Sequence, residues 1–162
     1  MITNRLFIIQ AKLLEKIAEY GNKEIERDYP LAWEIIHMAS CGKIGQLLAS
    51  GRQIDPELAA IACSVHDYGR IVTGKQANHA QNGYQPLQAF LRECDQFTDE
   101  EIEVVVQAAQ NHSNKDEIGT KMDELVKDAD VLDCYQYGEK MDRPGRHERL
   151  LKVLSEFPSA SL

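Results

Sequence analysis

No two cysteines in this 162-residue chain stand at Cys-x-x-Cys spacing. Cys41, Cys63, Cys94 and Cys134 are scattered through apolar segments, which argues against a zinc-thiolate cluster or a disulfide frame and predicts reduced core thiols. No proline-, glycine- or serine-rich stretch is long enough to divide the chain, so one domain over residues 1–162 is expected. Nor is there an apolar run of the roughly 20 residues that a membrane-spanning helix needs. The segment from Met1 to Gln10 has only a short apolar run and no small-residue cleavage site. Together these absences predict a soluble, cytoplasmic protein with no membrane partner.

Basic charge is also in short supply. Eighteen lysines and arginines face 26 aspartates and glutamates, for a formal net charge of -8. That balance argues against electrostatic capture of a nucleic-acid polymer or an anionic bilayer. Any phosphate the protein handles must be met by a bound metal or by a few local cations.

Strand-like alternation and internal repeats are missing as well, and what remains is helical periodicity. A first helix is predicted from about Asn4 to Tyr20, stopped by Gly21-Asn22. A second starts near Asp28-Tyr29-Pro30 and runs to Ser50-Gly51, carrying His37 at mid-length. Asp55-Pro56-Glu57 opens a third, which leads to His66-Asp67 and is ended by Tyr68-Gly69. After a polar loop containing Thr73-Gly74-Lys75, a fourth spans about Ala77 to Cys94, with His79 in its first turn. Thr98-Asp99-Glu100-Glu101 has the form of a capping box, so a fifth begins there and reaches His112. A sixth runs from about Thr120 to Tyr137, and a short amphipathic helix covers Leu150 to Phe157. The expected fold is all-α, a compact single-domain helical bundle.

Within that frame the order His37, His66-Asp67, Asp130 supplies two imidazoles and two carboxylates. A divalent ion can use such a set while keeping positions free for water and substrate. Successive helical residues turn by about 100°, so the stripe of Met122, Leu125, Val126 and Ala129 places Asp133 within it and Asp130 at its edge. Asp128 falls nearly opposite Asp130 and reads as a solvated charge. An inward carboxylate needs a partner; Asp133 either accepts from a buried backbone or tyrosine group or orients a metal ligand from behind. His147, in a charged tail, reads as a surface residue. Tyr135, Tyr137 and Trp33 read as packing, and Asn111 and Asn114 as capping.

The segment Ile61-Ala62-Cys63-Ser64-Val65-His66-Asp67-Tyr68-Gly69-Arg70, with His37 before it and Ala129-Asp130-Val131-Leu132-Asp133 after it, resembles the HD-domain superfamily of metal-dependent phosphohydrolases. The resemblance implies a helical fold in which His37, His66, Asp67 and Asp130 bind one divalent ion. Lys75-Gln76-Ala77-Asn78-His79-Ala80-Gln81-Asn82-Gly83 is similar to a Lys-x-x-x-His-x-x-x-Gly segment of many members. By that likeness His79 and His112 either hold a second ion, bridged by Asp67, or contact substrate phosphate. Arg70 stands where a lysine often follows the pair, keeping the charge with a different geometry. Asn111, in place of a histidine before His112, and the short loop before His79 argue against the cyclic-dinucleotide phosphodiesterase branch.

The expected chemistry is metal-dependent hydrolysis of a phosphate ester or anhydride in a small molecule, a nucleotide foremost. Asp67 is expected to bind metal and orient the attacking water, with Arg70 and Lys75 clamping phosphoryl charge. His79 and His112 remain open between phosphate contact, leaving-group acid and second-metal ligand. The ion could be Mn, Mg, Fe, Zn, Co or Ni. Two alternatives stand beside this reading: a dinuclear-iron oxygenase using the same ligands, and a non-catalytic nucleotide or metal sensor.

Overall fold

The computed structural model, which describes residues 4–157, is organised around one short apolar helix. The elements are α1 (Arg5–Gly21), α2 (Leu31–Arg52), α3 (Pro56–Val65), α4 (Tyr68–Thr73), α5 (His79–Asn82), α6 (Tyr84–Cys94), α7 (Asp99–Asn111), α8 (Lys121–Gln136) and α9 (Arg146–Glu156). No strand occurs among the described residues, and none of their helices is long and apolar enough to cross a membrane.

Local chemistry sets the helix starts. Asn4 accepts the Phe7 backbone N–H, and Asp55 accepts those of Glu57 and Leu58. Thr98 with Glu101, and Thr120 with Asp123, form reciprocal capping boxes. From Ala59 to Val65 every residue of α3 is buried, and a helix without a polar face belongs in the interior. It is enclosed by α1, α2, α7 and α8. Ile9, Leu13 and Ile17 of α1 join Leu48 of α2, Val105 of α7 and Leu125 of α8 in one continuous core around it. All four cysteines are buried and unpaired, as expected from their spacing.

Two close approaches bring the future ligands together. A Cβ on Gly42 would collide with Ser64 Oγ, and one on Gly45 with Cys63 Sγ, so α2 lies against α3 and His37 is drawn beside His66. A Cβ on Gly69 would collide with the His79 carbonyl oxygen and lie 2.7 Å from the Gly83 nitrogen, so α4 meets α5 backbone to backbone.

The structure corrects several boundaries. Tyr68-Gly69 do not end a helical segment; the chain turns at His66-Asp67, and Tyr68 begins α4 with Asp67 at its N-cap. Thr73 therefore belongs to a helix, and the loop starts at Gly74, which has φ +75°. The helix expected over residues 77–94 is broken at Gly83 into α5 and α6. The last helix starts at Arg146 rather than Leu150.

Asp128 is the largest correction. It is 0 % exposed, accepting from Arg149 Nη1 at 3.0 Å and lying 2.8 Å from Arg52 Nη1. A helical wheel with one apolar stripe assigns the opposite face to solvent, but α9 packs on that face of α8. Charge there is buried against charge.

Gly69→Ala is expected to cost about 3 kcal/mol, because backbone on both sides blocks relaxation. Urea denaturation should show it as a lower midpoint at unchanged slope.

Candidate metal centre

Each ligand candidate is delivered by a different helix end or face. α2 carries His37, the C-cap of α3 is His66, and the N-cap of α4 is Asp67. His79 opens α5, His112 caps the C-terminus of α7, and α8 carries Asp130. Four imidazoles and two carboxylates, spread over 94 positions of sequence, converge in one buried cluster.

The hydrogen bonds behind the rings decide what faces inward. His66 Nδ1–H donates to the Cys63 carbonyl at 2.7 Å, His79 Nδ1–H to Gln76 at 2.7 Å, and His112 Nδ1–H to Ala109 at 2.6 Å. A carbonyl can only accept, so each ring carries its proton on Nδ1 and, when neutral, turns a lone pair inward from Nε2. His37 does the same through Asp133, whose Oδ2 lies 2.5 Å from His37 Nδ1. Asp133, 0 % exposed and also accepting from Gln136, thus orients a ligand from behind.

These inward nitrogens sort into two groups around the Asp67 carboxylate. Asp67 Oδ2 is 3.3 Å from His37 Nε2 and 3.4 Å from His66 Nε2, which are 3.2 Å from each other. Asp130 Oδ1 completes this group at 3.3 and 3.7 Å from the same nitrogens. Asp67 Oδ1 is 3.0 Å from His79 Nε2 and 3.4 Å from His112 Nε2, which are 3.0 Å apart. Ligands that share one ion at bonds of about 2.0–2.2 Å lie about 3.0–3.5 Å from one another. The residues therefore fit a divalent metal in each group: acceptors meet acceptors at ligand spacing, and only a cation or a proton removes the repulsion.

The electrostatics agree. Burial opposes charging His37, yet hydrogen bonds to Asp130, Asp133 and Asp67 raise its pKa well above the ordinary 6.5. His66 is also raised, against burial, with Asp67 as the leading attraction. Burial would push Asp67 and Asp130 up, but Arg70 for the first and Lys115 for the second lead the charges that hold both well below the usual carboxylate range. His112 goes the other way: burial pushes it down to about 3, so it is neutral at physiological pH. A neutral ring offers a lone pair from Nε2.

Of the two expected phosphate clamps, Arg70 lines the cavity over the cluster and Lys75 does not. Arg70 is 6 % exposed and donates to both Glu34 oxygens, at 2.7 and 3.0 Å, to Gln76 at 2.7 Å, and to Asp67 Oδ2. Its three nitrogens are bonded to Glu34, Gln76 and Asp67, and it lines the cavity beside the Asp67 carboxylate. Lys75 points to the surface, 2.7 Å from Glu26 and 3.6 Å from Asp28, outside the lining of the cavity over the cluster. The short loop carries it away from the cluster. Lys115, which the sequence reading passed over, lines that cavity and donates to Asp130 Oδ2 at 2.5 Å and to the His112 carbonyl at 2.6 Å. Its place three residues after His112 was the available signal.

Trp33, expected to pack only, also borders the cavity. It stacks on His37 at 5.0 Å and 13°, and Tyr137 packs edge-on to Trp33. Asn111 and Asn114, expected as caps, instead donate to the Asp123 and Glu117 carboxylates, and His147 is exposed. The cavity has a volume of about 260 Å³.

Two outcomes test the centre. Asp133→Asn should weaken metal affinity about 10–100-fold, measured by competition with a chromogenic chelator. Because His37 and His66 titrate above their ordinary value, they hold protons at neutral pH that a metal must displace. Metal uptake should release protons at pH 7 and tighten as pH rises. Calorimetry in two buffers of different ionisation enthalpy reads this directly, and identical heats would contradict it.

The family model of the HD domain matches residues 35–138, from just before His37 to just beyond Asp133. Comparison with curated proteins and with solved structures gave no match. With its ligand residues inside a match that spans more than half of its length, the chain belongs to the HD domain family.

Proposed function

We propose that the protein is a dinuclear, divalent-metal-dependent phosphohydrolase acting on a small phosphorylated molecule of nucleotide size. One observation carries this reading: the two oxygens of Asp67 face opposite imidazole pairs, His37 with His66 and His79 with His112, as a bridging carboxylate requires. Bound divalent ions lower the pKa of water from 15.7 towards about 7 and polarise phosphoryl oxygens.

The chain's own groups supply orientation and charge. Arg70, gripped by Glu34, fixes the plane of Asp67, which is why a lysine would not replace it. Lys115 holds Asp130 through one oxygen and leaves the other turned to His37 and His66. With two of its three N–H groups committed, Lys115 has one left to meet a phosphoryl oxygen in the cavity. Tyr29 and Trp33 provide an aromatic wall beside the cluster, suited to a flat substrate group. The uncommitted N–H of Lys115 beside the ligands favours phosphate hydrolysis over dioxygen chemistry on the same ligands.

The test is metal analysis of purified protein followed by a phosphate-release screen over nucleotides and simple phosphate esters. The expected result is two ions per chain, one in His79→Ala, and metal-dependent release that Asp67→Ala lowers by at least about a thousandfold. One ion per wild-type chain would overturn the dinuclear reading. Oxygen consumption without phosphate release would replace hydrolysis by oxygenation, and tight nucleotide binding without turnover would make the protein a sensor.

A further inference from the structure

One wall of the cavity lies outside the family match. Glu139, Arg143, Pro144 and Arg146 follow residue 138, where that match ends, yet they line the same cavity as His37, Asp67 and Asp130. This wall is built by the turn between α8 and α9. Gly145 has φ +74°, and a Cβ there would collide with the Lys115 carbonyl group, so the turn is pressed against the segment that carries Lys115. Arg149 ties it down further, donating through Nε to the Lys115 carbonyl at 2.6 Å.

Charge in the wall is unbalanced. Arg70 is matched by Glu34 and Asp67, and Lys115 by Asp130. Arg143 and Arg146 share one carboxylate, Glu139, at 2.8 and 2.9 Å. Asp116, the other carboxylate in the lining beyond the ligands, is exposed and pairs with neither arginine. Two guanidinium groups against one carboxylate leave one positive charge over.

Arg146 shows the same surplus in its hydrogen bonds. It is 5 % exposed, its guanidinium makes one hydrogen bond among the described residues, Nη2 to Glu139, and its Nε has no partner. A buried guanidinium N–H without an acceptor is costly, and a guanidinium with N–H groups to spare suits a carboxylate or phosphate. Arg143 is more than half exposed and can swing to join it.

We propose that Arg146 and Arg143 form a second anion subsite, so that the substrate is a small molecule carrying a carboxylate or a second phosphate besides the phosphate at the metal centre. The inference rests on the phosphohydrolase reading for the fate of the first phosphate, but not for capture of the second anion. Arg146 is the anchor, since it lines the cavity from a buried position and keeps guanidinium N–H groups without an acceptor. Arg143 closes over the bound group from the rim. Glu139 holds the two guanidinium groups together and keeps their positive charges from driving them apart.

The test uses non-hydrolysable probes and reads binding apart from turnover. Calorimetry on manganese-loaded protein compares benzylphosphonate with its meta- and para-carboxylated derivatives. Wild type should bind at least one carboxylated compound about tenfold more tightly than benzylphosphonate. Arg146→Gln and Arg143→Gln should each shrink that preference to under about threefold and leave benzylphosphonate affinity within about twofold. Arg146→Lys should keep part of it, as a point charge without the fork. Arg143 is exposed enough that its substitution tests the subsite even if the buried Arg146→Gln variant misfolds.

Equal wild-type affinity for all three compounds would overturn the proposal. So would a preference that survives both glutamine variants, or a loss that falls equally on benzylphosphonate. A preference abolished by the variants, with no phosphate released from the corresponding carboxyphenyl phosphates, would uphold the subsite and remove hydrolysis. Metal-dependent release from phenyl phosphate with no binding preference would do the reverse.

Discussion

Four imidazole nitrogens and the oxygens of Asp67 and Asp130 point at one another across a buried space, with no donor among them while the rings are neutral and the carboxylates ionised. That mutual repulsion is the constraint on which the rest of the structure depends. Lone pairs at 3.0 to 3.7 Å in an interior of low dielectric are held together only by a positive charge among them. Protons on His37 and His66 meet the need in part, and divalent cations meet it with the matching geometry. The fold tolerates the arrangement because each ring is fixed from behind by a backbone carbonyl or by Asp133, and each carboxylate is held by a cation, Arg70 or Lys115.

Packing converts this chemistry into a site. Because α3 has no polar face it must be enclosed, and the helices that enclose or abut it contribute the ligands around its C-terminal end. The glycines at 42, 45 and 69 let backbones come within reach where any side chain would hold them apart. The same enclosure explains why charge is buried far from the metal centre. Once α9 covers α8, Asp128 needs Arg149 and Arg52, and that ion-paired seam keeps the α8–α9 turn beside the cavity.

Much of the site was legible before the structure. Helix starts follow from caps that act within one turn, so Asp55, Thr98 and Asn4 could be read locally. His37, His66, Asp67 and Asp130 could be read because their order suits a divalent ion, and His79 and His112 because their segments resemble those of the HD-domain family. Elements whose role depends on what packs against them were not legible. The wheel of α8 assigned Asp128 to solvent because it could not show a second helix on that face. Lys75 matched a motif by spacing, but the path of the loop takes it to Glu26. Arg70 carried the expected charge and lines the cavity, but its bonds to Glu34 and Asp67 could not be read from spacing.

The sequence by itself determined that the chain is all-helical and which residues could serve as metal ligands, because periodicity, capping and the cost of burying unpaired imidazole and carboxylate are local properties. Only the tertiary structure decided how those ligands divide around Asp67 and which cations reach the cavity. Lys115 and Arg146 line it, and Lys75, which spacing had put there, does not. The direction of a side chain at the end of a helix, or on a turn laid over another turn, is set by contacts between segments distant in sequence, and no local pattern encodes them.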